Sequence, residues 1–168
     1  MIFPQRKKTL INILLFTLIL LFAFLLDILD ISFFPRIFFL KNIRLSLAFC
    51  ICLSFLCANE KSVAIAFFCG LFFDIYSMSS PFNSFLYLYI SLGCVWCKSL
   101  FLKFRGFTLL LLGLIILFIY KVLCGVLLSL SAREFVLTFE FLINALLFAF
   151  SNSIVLPIFY SLLKRVKF

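Results

Sequence analysis

The chain contains no histidine at all. This removes the usual general base near neutral pH and the commonest metal ligand. Acids are nearly as scarce, six Asp+Glu in 168 residues. No glycine-rich phosphate loop, GxSxG elbow or HExxH pair occurs, so hydrolysis and phosphoryl transfer lack their usual residues. The expectation is a protein that is not an enzyme and holds no cofactor or metal. Charge of either sign is also thin. Charged residues make up 12% of the chain, against about 25% in soluble domains, whose surfaces must face water. With 5 Gly and 4 Pro there is no composition for a long linker, and no internal repeat stands out.

What is present is apolar, 67% of the residues, including 27 Phe. That excess must face lipid. In hydrocarbon every unpaired backbone group costs several kcal/mol, which leaves helices or a closed barrel. Barrel strands alternate apolar and polar residues, and runs such as Leu18 to Leu26 and Leu109 to Leu112 do not. The expected fold class is therefore an all-α membrane protein with about six transmembrane helices in a single integral membrane domain. The net charge of +9 would suggest nucleic acid in a soluble protein. Here the basic residues cluster at the edges of apolar runs, where they orient helices, and no nucleic-acid partner is expected.

Punctuation along the chain places the spans near 9–29, 43–58, 63–77, 82–97, 107–131 and 135–163. The first follows Arg6, Lys7 and Lys8 and closes on Asp27 and Asp30, a longer run than a cleavable signal core of roughly 7–15 residues, so it reads as an anchor. Residues 31–44 are too charged to span. Pro35 with Phe33, Phe34, Phe38 and Phe39 suits a segment lying at the bilayer surface. Pro81 breaks the chain before the fourth run, and Pro157 is the expected kink of the last.

Placing the N-terminus inside puts ten Lys+Arg on the cytoplasmic side and four outside, with Lys121 inside a span. That asymmetry gives an N-in, C-in protein. Arg36, Lys41 and Arg44 are the exception, three positives on the outer side. The turns at 77–83 and 131–135 are expected outside.

Seven cysteines all lie in apolar runs, where Cys serves as a small hydrophobe. Cys94 and Cys97 form a CxxC, but one pair does not complete a four-ligand zinc site. Asp74 is the charge that most needs explaining. An intramembrane carboxylate costs roughly 2.5–3.5 kcal/mol on insertion scales and normally faces a partner or water. It either meets such a partner, or it sits at the outer interface or caps the break before Pro81. Gly70, one turn earlier, leaves room for a second backbone. Lys121 is deeper, and a buried pairing with Asp74 or Glu140 is the expectation considered for it, with Asn144 as a further polar neighbour.

The segment GLFFDIYSMSSPFNSFLYLYI, Gly70 to Ile90, resembles the signature of the MreD family of rod-shape-determining membrane proteins. Gly70, Asp74, Pro81 and Phe82 occupy the matching places. Asn83 stands where the family usually has Gly, and Asn tolerates unusual backbone angles better than most residues. The resemblance implies a non-enzymatic scaffold in the bacterial inner (cytoplasmic) membrane, working with an MreC-like protein, the actin-like MreB, RodA and a penicillin-binding transpeptidase in side-wall peptidoglycan synthesis. Gly70, Asp74, Pro81, Asn83, Lys121 and Glu140 are the candidate structural or partner-contact residues, with membrane lipids as the surroundings.

The same family is similar in fold to the substrate-binding subunits of vitamin uptake transporters, which supplies the rival reading of a small-molecule binding subunit. Those subunits commonly carry Ala-x-x-x-Ala on the first helix. Here that helix has only Ala23, and Ser77, Ser79, Ser80 and Asn83 are thin provision for a vitamin. A lipid-processing enzyme would have only Asp74 and Lys121 to work with.

Overall fold

The structure is a computed structural model, describing residues 3–36, 42–57, 60–77, 82–101, 107–132 and 138–165. Among the described residues the regular elements are all helical. They are α1 Phe3–Ser32, α2 Leu45–Cys57, α3 Glu60–Tyr76, α4 Phe82–Phe101, α5 Phe107–Ala132 and α6 Phe139–Arg165, with one 3-10 turn at Phe34–Arg36. Three stretches, Ile13–Arg36, Thr108–Ser131 and Phe139–Arg165, are long and apolar enough to cross a membrane. Pro157 lies inside α6, where membrane surroundings tolerate it.

The second apolar run is where the sequence reading and the structure part. α2 has 13 residues, about 20 Å at 1.5 Å per residue, against a hydrocarbon core of about 30 Å. It is not a wall of the bundle but its centre. Every residue from Ser46 to Phe55 is buried, and α2 packs against α1, α3, α4 and α6. A helix apolar all round has no face to offer water and sits either in lipid or in a core; the burial of α2 on every side makes it the core. Its small residues, Ser46, Ala48, Cys50, Cys52 and Ser54, allow neighbours to approach on every side. Their polar atoms are satisfied locally. Ser54 Oγ donates to Cys50 O at 2.8 Å, Ser46 Oγ lies 3.3 Å from Tyr87 Oη, and Cys52 Sγ donates to Leu156 O at 3.2 Å.

Around this centre α3 packs with α4, α5 with α6, α1 with α3, and α4 with α5. Cross-helix pairs fix the directions. Asp30 meets Leu45 and Phe22 meets Phe49, so α1 and α2 are antiparallel. Gly113 faces Leu156 and Gly125 faces Phe141, so α5 and α6 are too. Ser46–Tyr87 and Ser54–Ser91 advance together, so α2 and α4 are parallel. Helices therefore alternate in direction. The end where α1, α3 and α5 finish is the end where α2, α4 and α6 begin.

Outward faces carry large apolar side chains such as Leu18, Leu21, Ile119, Leu146 and Ile158, all exposed. A contiguous apolar exterior of this kind suits lipid rather than water. A Cβ at Gly93 would meet nothing within 4 Å. It lies on an open surface.

Candidate functional site

Polar side chains collect at the end of the bundle where α2 and α4 begin. Each of these helices starts with backbone N–H groups that have no intrahelical acceptor, and each is met by a carboxylate from the helix before it. Asp74 on α3 caps α4: its Oδ1 accepts from Asn83 N at 3.2 Å and from Asn83 Nδ2 at 2.8 Å, and its Oδ2 accepts from Ser84 N at 2.8 Å. Asp30 on α1 caps α2, with Leu45 N donating to Oδ1 at 2.8 Å and Ser46 N to Oδ2 at 2.9 Å. A buried acceptor at a helix start gains from both the hydrogen bonds and the local dipole. The contacts of Asp74 lie at the start of α4, after Pro81, and the side chain is only 7% exposed.

Gly70 makes the junction possible. A Cβ there would lie 2.6 Å from Ser84 Cα and 2.7 Å from Asn83 O, both backbone atoms. Only a hydrogen fits, so α3 and α4 approach closely at the point where Asp74 reaches across.

Asn83 behaves differently from its sequence expectation. It lies within the first turn of α4 rather than in a turn needing unusual backbone angles. Its side chain is what matters, since Nδ2 donates to Asp74 and Oδ1 accepts from Tyr120 Oη at 2.9 Å. Arg44 Nη1 in turn donates to Tyr120 Oη at a long 3.5 Å. A continuous chain of donors thus runs from Arg44 through Tyr120 and Asn83 to Asp74, joining the start of α2 to α5, α4 and α3.

Lys121 was considered as the partner of Asp74 or Glu140. Among the described residues it makes no ion pair. Its Nζ lies 5.3 Å from the centroid of the Phe148 ring, while Glu140 is exposed in the first turn of α6. Asn144 is exposed as well. The polar residue that α6 contributes is instead Asn152, fully buried. Its Oδ1 accepts from Arg44 N at 2.7 Å, and its Nδ2 donates to Asn42 O at 2.7 Å and Phe148 O at 2.8 Å. Pro81, and the turn at 133–135, lie outside the described residues.

Arg44, Phe73, Asn83, Tyr120, Lys121 and Cys124 line a cavity of about 250 Å³ at this end, closed further by Ser77, Phe82 and Leu128. The Arg44 guanidinium lies flat over Phe73, 4.0 Å from the ring centroid. Arg44 was counted as a misplaced outer charge; it is instead folded into the bundle.

Asp30, Arg44, Tyr120 and Asn152 were not picked out from the sequence. One signal was available. Both junctions show a carboxylate closing one apolar run and a Ser within the first three residues of the next helix, Asp30 with Ser46 and Asp74 with Ser84. The cysteines are free; Cys50, Cys52, Cys69 and Cys94 are buried among apolar residues. No family model, curated protein or solved structure matches the chain.

Proposed function

We propose that this chain is a non-enzymatic, multi-pass scaffold of the bacterial inner membrane, similar to MreD, that serves side-wall peptidoglycan synthesis. In this reading six helices cross or fill the bilayer with both ends cytoplasmic. The partners are an MreC-like protein, with MreB, RodA and a penicillin-binding transpeptidase in the same assembly. The observation that carries the reading is the joint formed at the signature positions, Gly70 and Asp74 matching the family and Asn83 standing where it usually has Gly. Gly70, Asp74 and Asn83 are one contact, in which a side-chain-free step, a carboxylate and a bridging amide lock α3 to α4. A rigid hairpin suits a protein whose work is to present fixed helix faces to neighbours, and partners of a chain so apolar are reached within the bilayer by packing.

The vitamin-binding alternative is weaker on two counts. The cavity of about 250 Å³ falls below the roughly 300–1,000 Å³ usual for drug-sized ligands. Ala23, the only Ala of the first helix, is fully buried rather than displayed for docking.

Depletion in the native host should make rod cells widen or round, and an MreC-like protein should co-purify in mild detergent. Depleted cells that keep their shape but lose uptake of one vitamin would transfer the assignment to the transporter subunit.

A further inference from the structure

The recess at the start of α2 and α4 has an uneven charge balance. Two cations, Arg44 and Lys121, line one small cavity. Of the acids nearby, Asp27 does not line the cavity, and the other two are committed elsewhere. Asp74 holds the first N–H groups of α4 and Asp30 those of α2. Among the described residues neither Arg44 nor Lys121 forms an ion pair. Each rests on an aromatic ring instead, Arg44 on Phe73 and Lys121 on Phe148. A ring face holds a cation in place but leaves its charge uncancelled. Among the described residues most donors are also unspent: Arg44 donates one guanidinium N–H to Tyr120 and also meets Tyr87, of the five N–H groups that it carries.

Two half-buried positive charges in an apolar bundle are costly unless an anion joins them. We propose that this recess binds a phosphate group between Arg44 and Lys121, carried by a lipid headgroup or free in solution. The size fits. About 250 Å³ is the share of roughly eight waters in the liquid, room for a phosphate with little of whatever it is attached to. The donor set fits as well, since an arginine fork and a lysine point charge together match the spread charge of phosphate oxygens. This proposal does not rest on the scaffold reading, because it depends on the two cations of the cavity and not on the family resemblance.

The test uses the full chain, delipidated in a neutral maltoside detergent. Apparent Tm is followed while phosphatidylglycerol is titrated in one series and inorganic phosphate in another. Wild-type protein should show a saturable rise in at least one series. A rise with phosphatidylglycerol alone assigns a lipid headgroup, and a rise with inorganic phosphate assigns a free anion. Lys121→Gln should weaken the midpoint about tenfold or more, as expected for losing a charge-assisted hydrogen bond. Arg44→Lys, which keeps the charge but loses the fork, should weaken it less. Lys61→Gln, an exposed cation at the opposite end of the bundle, should leave it unchanged. No saturable rise in either series, or equal midpoints in wild type and Lys121→Gln, overturns the proposal.

Discussion

The junctions α1–α2 and α3–α4 solve one problem with the same chemistry, and their differences are informative. Both bury the start of a helix and both satisfy its free N–H groups with a carboxylate from the preceding helix. At α3–α4 the two helices touch backbone to backbone at Gly70, the carboxylate takes three hydrogen bonds from Asn83 and Ser84, and the capped residue Asn83 passes the connection on to Tyr120. At α1–α2 the carboxylate takes two backbone bonds, and the loop before α2 needs a second fastening. Asn152 on α6 supplies it, gripping Asn42 O and Arg44 N. A short connection can be locked by its own residues, whereas a longer one borrows from a helix distant in sequence.

The largest effect should come from breaking the caps, and it should be unequal. Asp74→Leu strands two backbone donors and the Asn83 amide in a buried site. Buried unsatisfied groups cost about 1–3 kcal/mol each, so a total loss of roughly 2–4 kcal/mol is expected, shared donors partly relaxing. Asp30→Leu strands two donors and should cost somewhat less, because Asn152 still holds the loop. Asp74→Asn keeps one acceptor in place and should be tolerated better than Asp74→Leu. Apparent Tm in detergent, read alongside protein level in membranes, checks the order. Equal losses for Asp30→Leu and Asp74→Leu would mean that the Asn152 fastening contributes little.

That contrast also marks what could be read from the sequence. The α3–α4 joint was legible because its parts sit within about twenty residues and each breaks an apolar pattern, Gly70 by size and Asp74 by charge. Asn83 was noticed for the wrong property, its backbone tolerance, because a side-chain bridge to Tyr120 depends on where α5 lies. The α1–α2 junction was invisible for the same reason. Its fastening joins Arg44 to Asn152, 108 positions apart, and no local period encodes such a pairing. The central position of α2 was also missed. A short apolar run reads alike whether it faces lipid or other helices, and only its small polar residues and lack of length hinted at the interior.

A middle-sized effect should separate two glycines that look equivalent on paper. Gly70→Ala places a methyl within 2.6 Å of Ser84 Cα, and overpacking against backbone typically costs about 1–3 kcal/mol. Gly93→Ala meets nothing within 4 Å, and Ala in a helix interior is favoured over Gly by about 1 kcal/mol. The first should lower apparent Tm and the second should hold or raise it. A Gly93→Ala loss as large as that of Gly70→Ala would place a partner helix on the open face of α4, and would be seen only when that partner is present.

The smallest expected change tests Asp27 against its neighbour Asp30, one turn along α1. The two carboxylates differ in what they meet. Asp30 accepts two backbone hydrogen bonds, while Asp27 is 0% exposed and neither of its oxygens has a hydrogen-bond partner among the described residues. A buried carboxylate in that position contributes a desolvation cost that the nearby Ser46 hydroxyl and Arg44 charge offset only in part. Replacing it by the near-isosteric neutral amide keeps the volume, so packing is untouched and only the polar penalty changes. Asp27→Asn should therefore leave stability unchanged or raise it by up to about 1 kcal/mol, whereas Asp30→Asn turns an N–H₂ toward one of two backbone donors and should lower it. Parallel thermal melts of the two variants decide the matter. A clear loss for Asp27→Asn would show that the carboxyl has a partner in the membrane, and would make it a functional group in its own right.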